Sequence, residues 1–261
     1  MFRCKWEDLP ARSSLTGEGR ARGLVFLARN QPWKPWVLAI LLLLTSIFVG
    51  GTDVLAQGYQ AQAIRAMPPE ELHPAVGEVM SEETVRVVGP AGVLCEIWIR
   101  KGIPERAQEQ KELGVSFSQI VEGTLVGAVR FPAGVVDFRR GRVRAGVYTL
   151  RYALNPVDGN HQGVAPQRDF LLLAQAQADT NPANITRDEL VTLSRKALGS
   201  THPSVWSLGA ELGPIAKLPV VQHREEEDHW VVLFPAHLQA GNGAGRSVVF
   251  ALVVVGYAPE S

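Results

Sequence analysis

Gly146-Val-Tyr-Thr-Leu-Arg-Tyr-Ala-Leu154 is the stretch that decides the fold. Tyr148, Leu150, Tyr152 and Leu154 take alternate positions, with Thr149 and Arg151 between them. Successive side chains of a strand point to opposite faces, so the stretch predicts a strand with its apolar face inward and Arg151 toward water. The same period of two recurs on either side. Cys95, Ile97 and Ile99 alternate with Glu96, Trp98 and Arg100, and Leu125, Val129 and Phe131 share a face. Phe170 to Leu173 and Val248 to Tyr257 are apolar at successive positions, which predicts central strands covered on both faces. Turn formers separate these runs: Pro132-Ala-Gly134, Gly141, Pro156, Asp158-Gly159 and Gly241-Asn-Gly243. Many short strands with few helices predict a mostly-β fold, an antiparallel β-sandwich or a related barrel.

One helix is well signalled. Thr186 with Glu189 three residues on forms a capping box, and Leu190, Leu193, Ala197 and Leu198 give an apolar stripe, so a helical insertion is expected near 186–198. A second, weaker helix is expected through 104–112, where Pro104 suits a first turn. Residues 57–83 are polar, carry Pro68-Pro69 and His73-Pro74, and read as an irregular arm. The sandwich domain is expected to occupy 84–261.

The N-terminus suggests an address. Residues 37–51 are a run of 15 without a charge, short for a bilayer-spanning helix but suited to the core of a signal peptide. Basic residues dominate upstream, from Arg3 to Lys34, and Val54-Leu-Ala56 offers a cut before Gln57. Residues 1–56 therefore read as a Sec-type signal peptide, or as an N-terminal anchor if uncleaved, and membrane contact is expected only in the latter case. The expected compartment is periplasmic or secreted. Cleavage leaves 205 residues with Cys95 as the lone cysteine, so stability must come from the core rather than from a disulfide. The whole chain balances 26 basic against 26 acidic side chains, which argues against a nucleic-acid binder.

Four polar stretches could carry chemistry. Asn155-Pro-Val-Asp-Gly-Asn-His-Gln-Gly163 is the densest, and Asp and Asn there suit a plain turn. It also offers Asp158 and His161 as a carboxylate and an imidazole, with Arg168 and Asp169 extending the polar end. Arg139, Arg140, Arg142 and Arg144 crowd around Gly141 and could grip an anionic glycan, a lipid head group or an acidic partner, or could simply charge a hairpin edge. His223-Arg-Glu-Glu-Glu-Asp-His229 could ligate zinc or calcium, but its flanks predict a solvated hairpin loop. Gly241 to Gly245 precedes a strand rather than a helix, so it reads as a turn and not a phosphate cradle. Cys95 lies within an apolar strand and is expected to be buried and inert. No Gly-x-Ser-x-Gly occurs, so a serine-hydrolase elbow is missing.

The segment from Gly146 to Gly159 resembles the strand-turn element of the periplasmic copper-resistance protein C family, Gly-x-Tyr-Thr-Val-x-Trp followed by Ser-x-Asp-Gly-His. Gly146, Tyr148, Thr149, Tyr152, Asp158 and Gly159 match it in kind and spacing. The resemblance implies an exported immunoglobulin-like sandwich and copper binding. Asn160 stands where that family has histidine, His161 falls one place later, and the mature chain would begin at Gln57 rather than at a ligating histidine.

The expected function is that of a non-enzymatic binding or interaction module of the bacterial envelope. Its expected ligand surface is the loop 155–168 with the arginine hairpin 139–144, with Asp158, His161, Arg168, Arg140 and Arg142 as candidate ligand-binding residues. The ligand is an envelope molecule or protein of unspecified chemistry. The alternative is a periplasmic metal-binding protein or metal-dependent enzyme, holding copper or zinc on Asp158, His161 and a further histidine supplied by the fold.

Overall fold

The computed structural model describes residues 58–108, 110–158, 165, 167–210, 213–241, 243 and 245–259. The expectation of a mostly-β fold holds. In chain order the strands are β1 (Gln60–Arg65), β2 (Met80–Gly89), β3 (Gly92–Arg100), β4 (Ile103–Pro104), β5 (Leu125–Phe131), β6 (Val135–Val136), β7 (Arg142–Val143), β8 (Gly146–Leu154), β9 (Asp169–Gln175), β10 (Val205–Ala210), β11 (Val220–Arg224), β12 (His229–Gln239) and β13 (Gly245–Val255). Two helices accompany them, α1 (Pro74–Gly77) and α2 (Arg187–Leu198).

Ten of these strands form one antiparallel path, β1-β2-β3-β5-β8-β9-β10-β13-β12-β11, and β4 runs parallel to the end of β12. The sheet curls on itself, so the two packed layers of the sandwich expectation are present as two arms of one sheet. β10 is the corner. Its first half, Val205 to Ser207, pairs with β9, and its second half, Leu208 to Ala210, pairs with β13. A strand that changes partners midway is a standard way to turn a sheet through a corner. Where the two ends of the path approach, Tyr59, just before β1, packs against Trp230 of β12, with ring centroids 5.1 Å apart.

Between the arms lies a core of Ile97, Val129, Phe131, Leu150, Tyr152, Leu171 and Leu173 against Trp206, Phe234, Phe250 and Leu252. Phe131 stacks on Trp206 at 5.2 Å and Phe234 meets Phe250 edge-on at 5.9 Å. The end of this core beside the first residue of β9 is closed by residues 110–124. Phe117 drops onto Phe250 at 4.7 Å, and the Asp169 carboxylate accepts the Ser116 and Phe117 amides at 2.7 and 3.0 Å and the Tyr152 hydroxyl at 2.6 Å. Burial pushes the Asp169 carboxyl above the usual carboxylate range even against those three bonds.

The expected strand 146–154 is β8, and Tyr148, Leu150 and Tyr152 face inward as its alternation predicts. The expectation that Arg151 faces water is corrected. Arg151 is fully buried, because residues 179–183 cross the outer face of β8. Its guanidinium forms a two-pronged pair with Asp179, Nε to Oδ2 and Nη2 to Oδ1, each at 2.7 Å. It also donates to the carbonyls of Gly123, Ala183 and Asn181. Thr149 adds a hydroxyl bond to Asp179 at 2.5 Å. Every donor of this buried charge that faces inward thus finds an acceptor, the condition on which burial of an arginine is tolerated.

Two further expectations are corrected. The expected irregular arm at 57–83 is not what residues 58–83 form. Gln60 to Arg65 pair along their length with β2, and the polar alternation of this edge strand hides it from an apolar pattern. Among the described residues of 104–112 there is no helix; Pro104 instead ends the short strand β4, where the chain runs beside Leu238 and Gln239.

Helix α2 is where the capping box places it. Thr186 accepts the Glu189 amide at 3.3 Å, and Gly199, with φ of 63°, closes the far end. A left-handed residue at that place suits glycine. The first part of the apolar stripe lands on the outer face of β8 and β9, where Leu190 packs with Ala153 and Leu172, and Ala197 and Leu198 join the main core cluster. The Ser194 hydroxyl accepts the Ser204 amide at 2.9 Å and ties the helix to the start of β10. Among the described residues no helix is long and apolar enough to cross a membrane.

Candidate functional site

Among the described residues a half-open groove of about 1240 Å³ lies on the outside of the sheet. Its floor is apolar. Ala153 of β8 and Phe170 and Leu172 of β9 are outward-facing side chains that the covering elements nearly bury. One wall is α2, through Arg187, Asp188, Val191, Thr192 and Arg195. The opposite wall is the turn between β6 and β7, through Phe138, Arg139 and Arg140, together with Ala258 and Pro259. Asn155 and Pro156, which open the loop after β8, close one end with Glu122, and His202 and Pro203 line the stretch leading into β10.

The arginine turn is held by a buried carboxylate. Asp137 is 1% exposed and accepts the amides of Arg139 at 3.0 Å, Gly141 at 2.7 Å and Val205 at 3.2 Å. Burial pushes its carboxyl upward, against the pull of these bonds. The result is a rigid mount, with Arg140 in the left-handed region at φ of 66° and its guanidinium 4.5 Å over the Tyr257 ring. Ala258 donates to the Phe138 carbonyl at 2.8 Å, which pins the C-terminal segment beside the turn. A second cavity of about 310 Å³, lined by Trp230, Tyr257, Glu227 and Asp228, adjoins the groove through Arg140, Ala258 and Pro259.

The charges around the groove differ in their freedom. Arg187 is committed: its Nη1 lies 2.5 Å from Glu122 Oε1 and 3.2 Å from the Leu154 carbonyl. Arg139 and Arg195 are exposed, and among the described residues neither has an acidic partner. An exposed guanidinium on a fixed backbone, beside apolar surface, suits a carboxylate, sulfonate or phosphate.

The structure scatters the sequence candidates. Arg140 lines the groove. Arg142 is exposed on β7 and lies outside the lining. Arg168 is a fastener between two loops: Nε donates to the Asn155 carbonyl at 3.0 Å and Nη1 to Glu112 at 3.0 Å. Asp158 is exposed in the loop that leaves the groove, and His161 lies outside the described residues. The first residues of the loop 155–168 and the turn of the hairpin 139–144 both line one groove, the turn as a wall and Asn155 and Pro156 at one end.

The acidic histidine stretch forms the hairpin its flanks predict, with both histidines in strands rather than in the turn. His223 stacks on Trp230 at 4.3 Å and bonds Asp228 at 3.0 Å. His229 is buried and its Nε2–H donates to the Tyr257 carbonyl at 3.0 Å. Because His223 pairs with Trp230 and Arg224 with His229, the two imidazoles stand on opposite faces and cannot share an ion. Among the described residues no group of three or more His, Cys, Asp or Glu side chains is placed to hold a metal. Cys95 is buried, as expected, and burial pushes its thiol up to about 12.

Sequence reasoning missed Arg195, Arg187 and the mount Asp137. Basic residues in a last helical turn are the ordinary complement of the helix dipole, so Arg195 carries no signal of its own until α2 is placed across from Arg139. A curled, mostly-β scaffold with a basic-rimmed apolar groove outside its sheet is the class that fold and site define. Comparison with protein-family models, with curated proteins and with solved structures finds no match.

Proposed function

We propose that the chain is an exported, non-enzymatic binding module of the bacterial envelope, and that its ligand occupies the groove between α2 and the Arg139–Arg140 turn. The observation that carries this reading is the convergence itself. The outer face of α2 and the Arg139–Arg140 turn, separated in the chain by β8 and β9, line one groove with an apolar floor, and Asn155 and Pro156 of the polar loop close its end. A concave apolar surface with a few convergent polar groups is the usual form of a small-molecule site. The buried carboxylates support a binding role over catalysis, since Asp137, Asp169 and Asp179 are each saturated by backbone, tyrosine or arginine donors. Export rests on the basic, apolar and small-residue pattern of the leader.

The test is production of the full chain with its own N-terminus in a bacterium, followed by native mass spectrometry of the periplasmic fraction. The expected product begins at Gln57 and carries a bound mass that Thr192→Trp removes, because the indole would project into the groove from an exposed helix position and obstruct it. An intact N-terminus retained in the cytoplasm would refute export. A bound mass that survives Thr192→Trp would refute the groove.

A further inference from the structure

The groove combines two surfaces that select for one kind of molecule. Ala153, Phe170 and Leu172 give it a floor on which an apolar body gains by leaving water. Above that floor the rim carries Arg139, Arg140, Arg187 and Arg195 against Glu122 and Asp188. Arg187 is spent on Glu122, and Arg140 is steered over Tyr257, whereas Arg139 and Arg195 face the groove from opposite walls with no acid of their own among the described residues. A neutral apolar ligand would leave both guanidinium groups unanswered, and a cationic one would be repelled. A small hydrophilic anion would leave the floor wet. At about 1240 Å³ the groove is somewhat larger than the roughly 300–1,000 Å³ usual for small-molecule sites, with room for an extended chain or a fused ring.

We infer that the groove binds an amphiphilic anion, an acyl chain or aromatic body ending in a carboxylate, sulfonate or phosphate, with the head group held between Arg139 and Arg195. This rests on the groove being the binding site and names the chemistry it takes. The rigid mount matters here. Asp137 fixes the turn that carries Arg139, and the capped helix fixes Arg195, so the ligand does not have to order the backbone that receives it.

The experiment uses the purified full chain and dodecanoate below its micelle concentration, read by displacement of anilinonaphthalene sulfonate. Dodecyltrimethylammonium and inorganic phosphate are the comparison ligands. The expected result is saturable displacement by dodecanoate, none by phosphate, and none by the cationic amphiphile. Arg139→Ala and Arg195→Ala should each weaken dodecanoate by about tenfold, the value of a charge-assisted hydrogen bond. Both positions are exposed, so the variants should melt like the parent; Thr192→Trp, which alters no charge, should abolish displacement and supplies an independent check. Equal displacement by the cationic and anionic amphiphiles, or indifference to both arginines, overturns the inference. If neither amphiphile binds while a native bound mass is still lost in Thr192→Trp, the groove stands as the site and the amphiphilic anion is wrong.

Discussion

Arg151 and Arg139 belong to the same β-rich stretch and meet opposite fates. Arg151 sits on the outer face of β8 beneath residues 179–183, with Asp179 across from it and three carbonyls around it. Arg139 rides an exposed turn whose backbone is tied down by Asp137, while among the described residues its own side chain has no acid. A guanidinium taken out of water needs a full set of acceptors, so a buried arginine reports on the fold. An arginine left in water on a fixed backbone needs none, and can report on a ligand. Exposure and partnering, rather than the crowding of arginines in the sequence, separate the two roles.

That contrast can be broken most forcefully at Arg151. Arg151→Ala should cost about 3–5 kcal/mol in urea denaturation, because it strands the Asp179 carboxylate in the interior. A cost near zero would mean that water reaches the site and that the two arginines are alike. Removing both partners, Arg151→Met with Asp179→Leu, should recover part of the loss. Next in size is Leu150→Ala, which opens the core between the arms and should cost about 2–5 kcal/mol. The inward and outward neighbours on β8 should therefore be comparably sensitive, where simple alternation would make only one so. Gly123→Ala should also destabilise the fold, since the residue has φ of 90° and its new methyl would meet the Ile185 carbonyl. The same denaturation series would register it, and a stability equal to the parent would show that the closing segment adapts freely. At the small end, the Arg139→Ala and Arg195→Ala variants should leave the melting midpoint unchanged. A large drop in either would turn these side chains into structural parts and remove the contrast. Cys95 gives a final probe of how tight the interior is. With its thiol pushed up to about 12, it is protonated at every ordinary pH and should ignore a thiol reagent until denaturant exposes it. Rapid labelling of the native protein would show that β3 opens to solvent.

The strand pattern around Tyr148 to Leu154, the capped helix from Thr186 and the doubly covered strands at Phe170 and Val248 were legible because each depends on local periodicity or local hydrogen bonding. The misreading of Arg151 has a physical cause. Alternation tells which residues share a face, but not which face ends in water, and the cover over Arg151 comes from a segment whose placement is a tertiary matter. Gln60 to Arg65 escaped notice because an edge strand can be polar on both sides and still pair fully through its backbone. Of the groove, the Arg139–Arg140 turn and the Asn155–Pro156 end were visible as polar, turn-rich sequence. Their sharing of one groove, and the arrival of Arg195 on the wall across from Arg139, depend on how α2 docks onto β9, for which no short pattern in the sequence speaks.

β10 is six residues long and belongs to both arms. A domain whose layers were joined only by loops could lose one layer and keep the other. Here, fraying either arm strips half the ladder bonds from the same short strand and loosens Trp206 and Leu208 within the shared core. The amides of Val205 to Ala210 should accordingly be among the slowest in the chain to exchange with deuterium, and should exchange only when the whole molecule opens. The Val205 amide also reaches Asp137, so the turn that presents Arg139 is fastened directly to that slow centre, and the groove wall is linked to the last part of the protein to come apart.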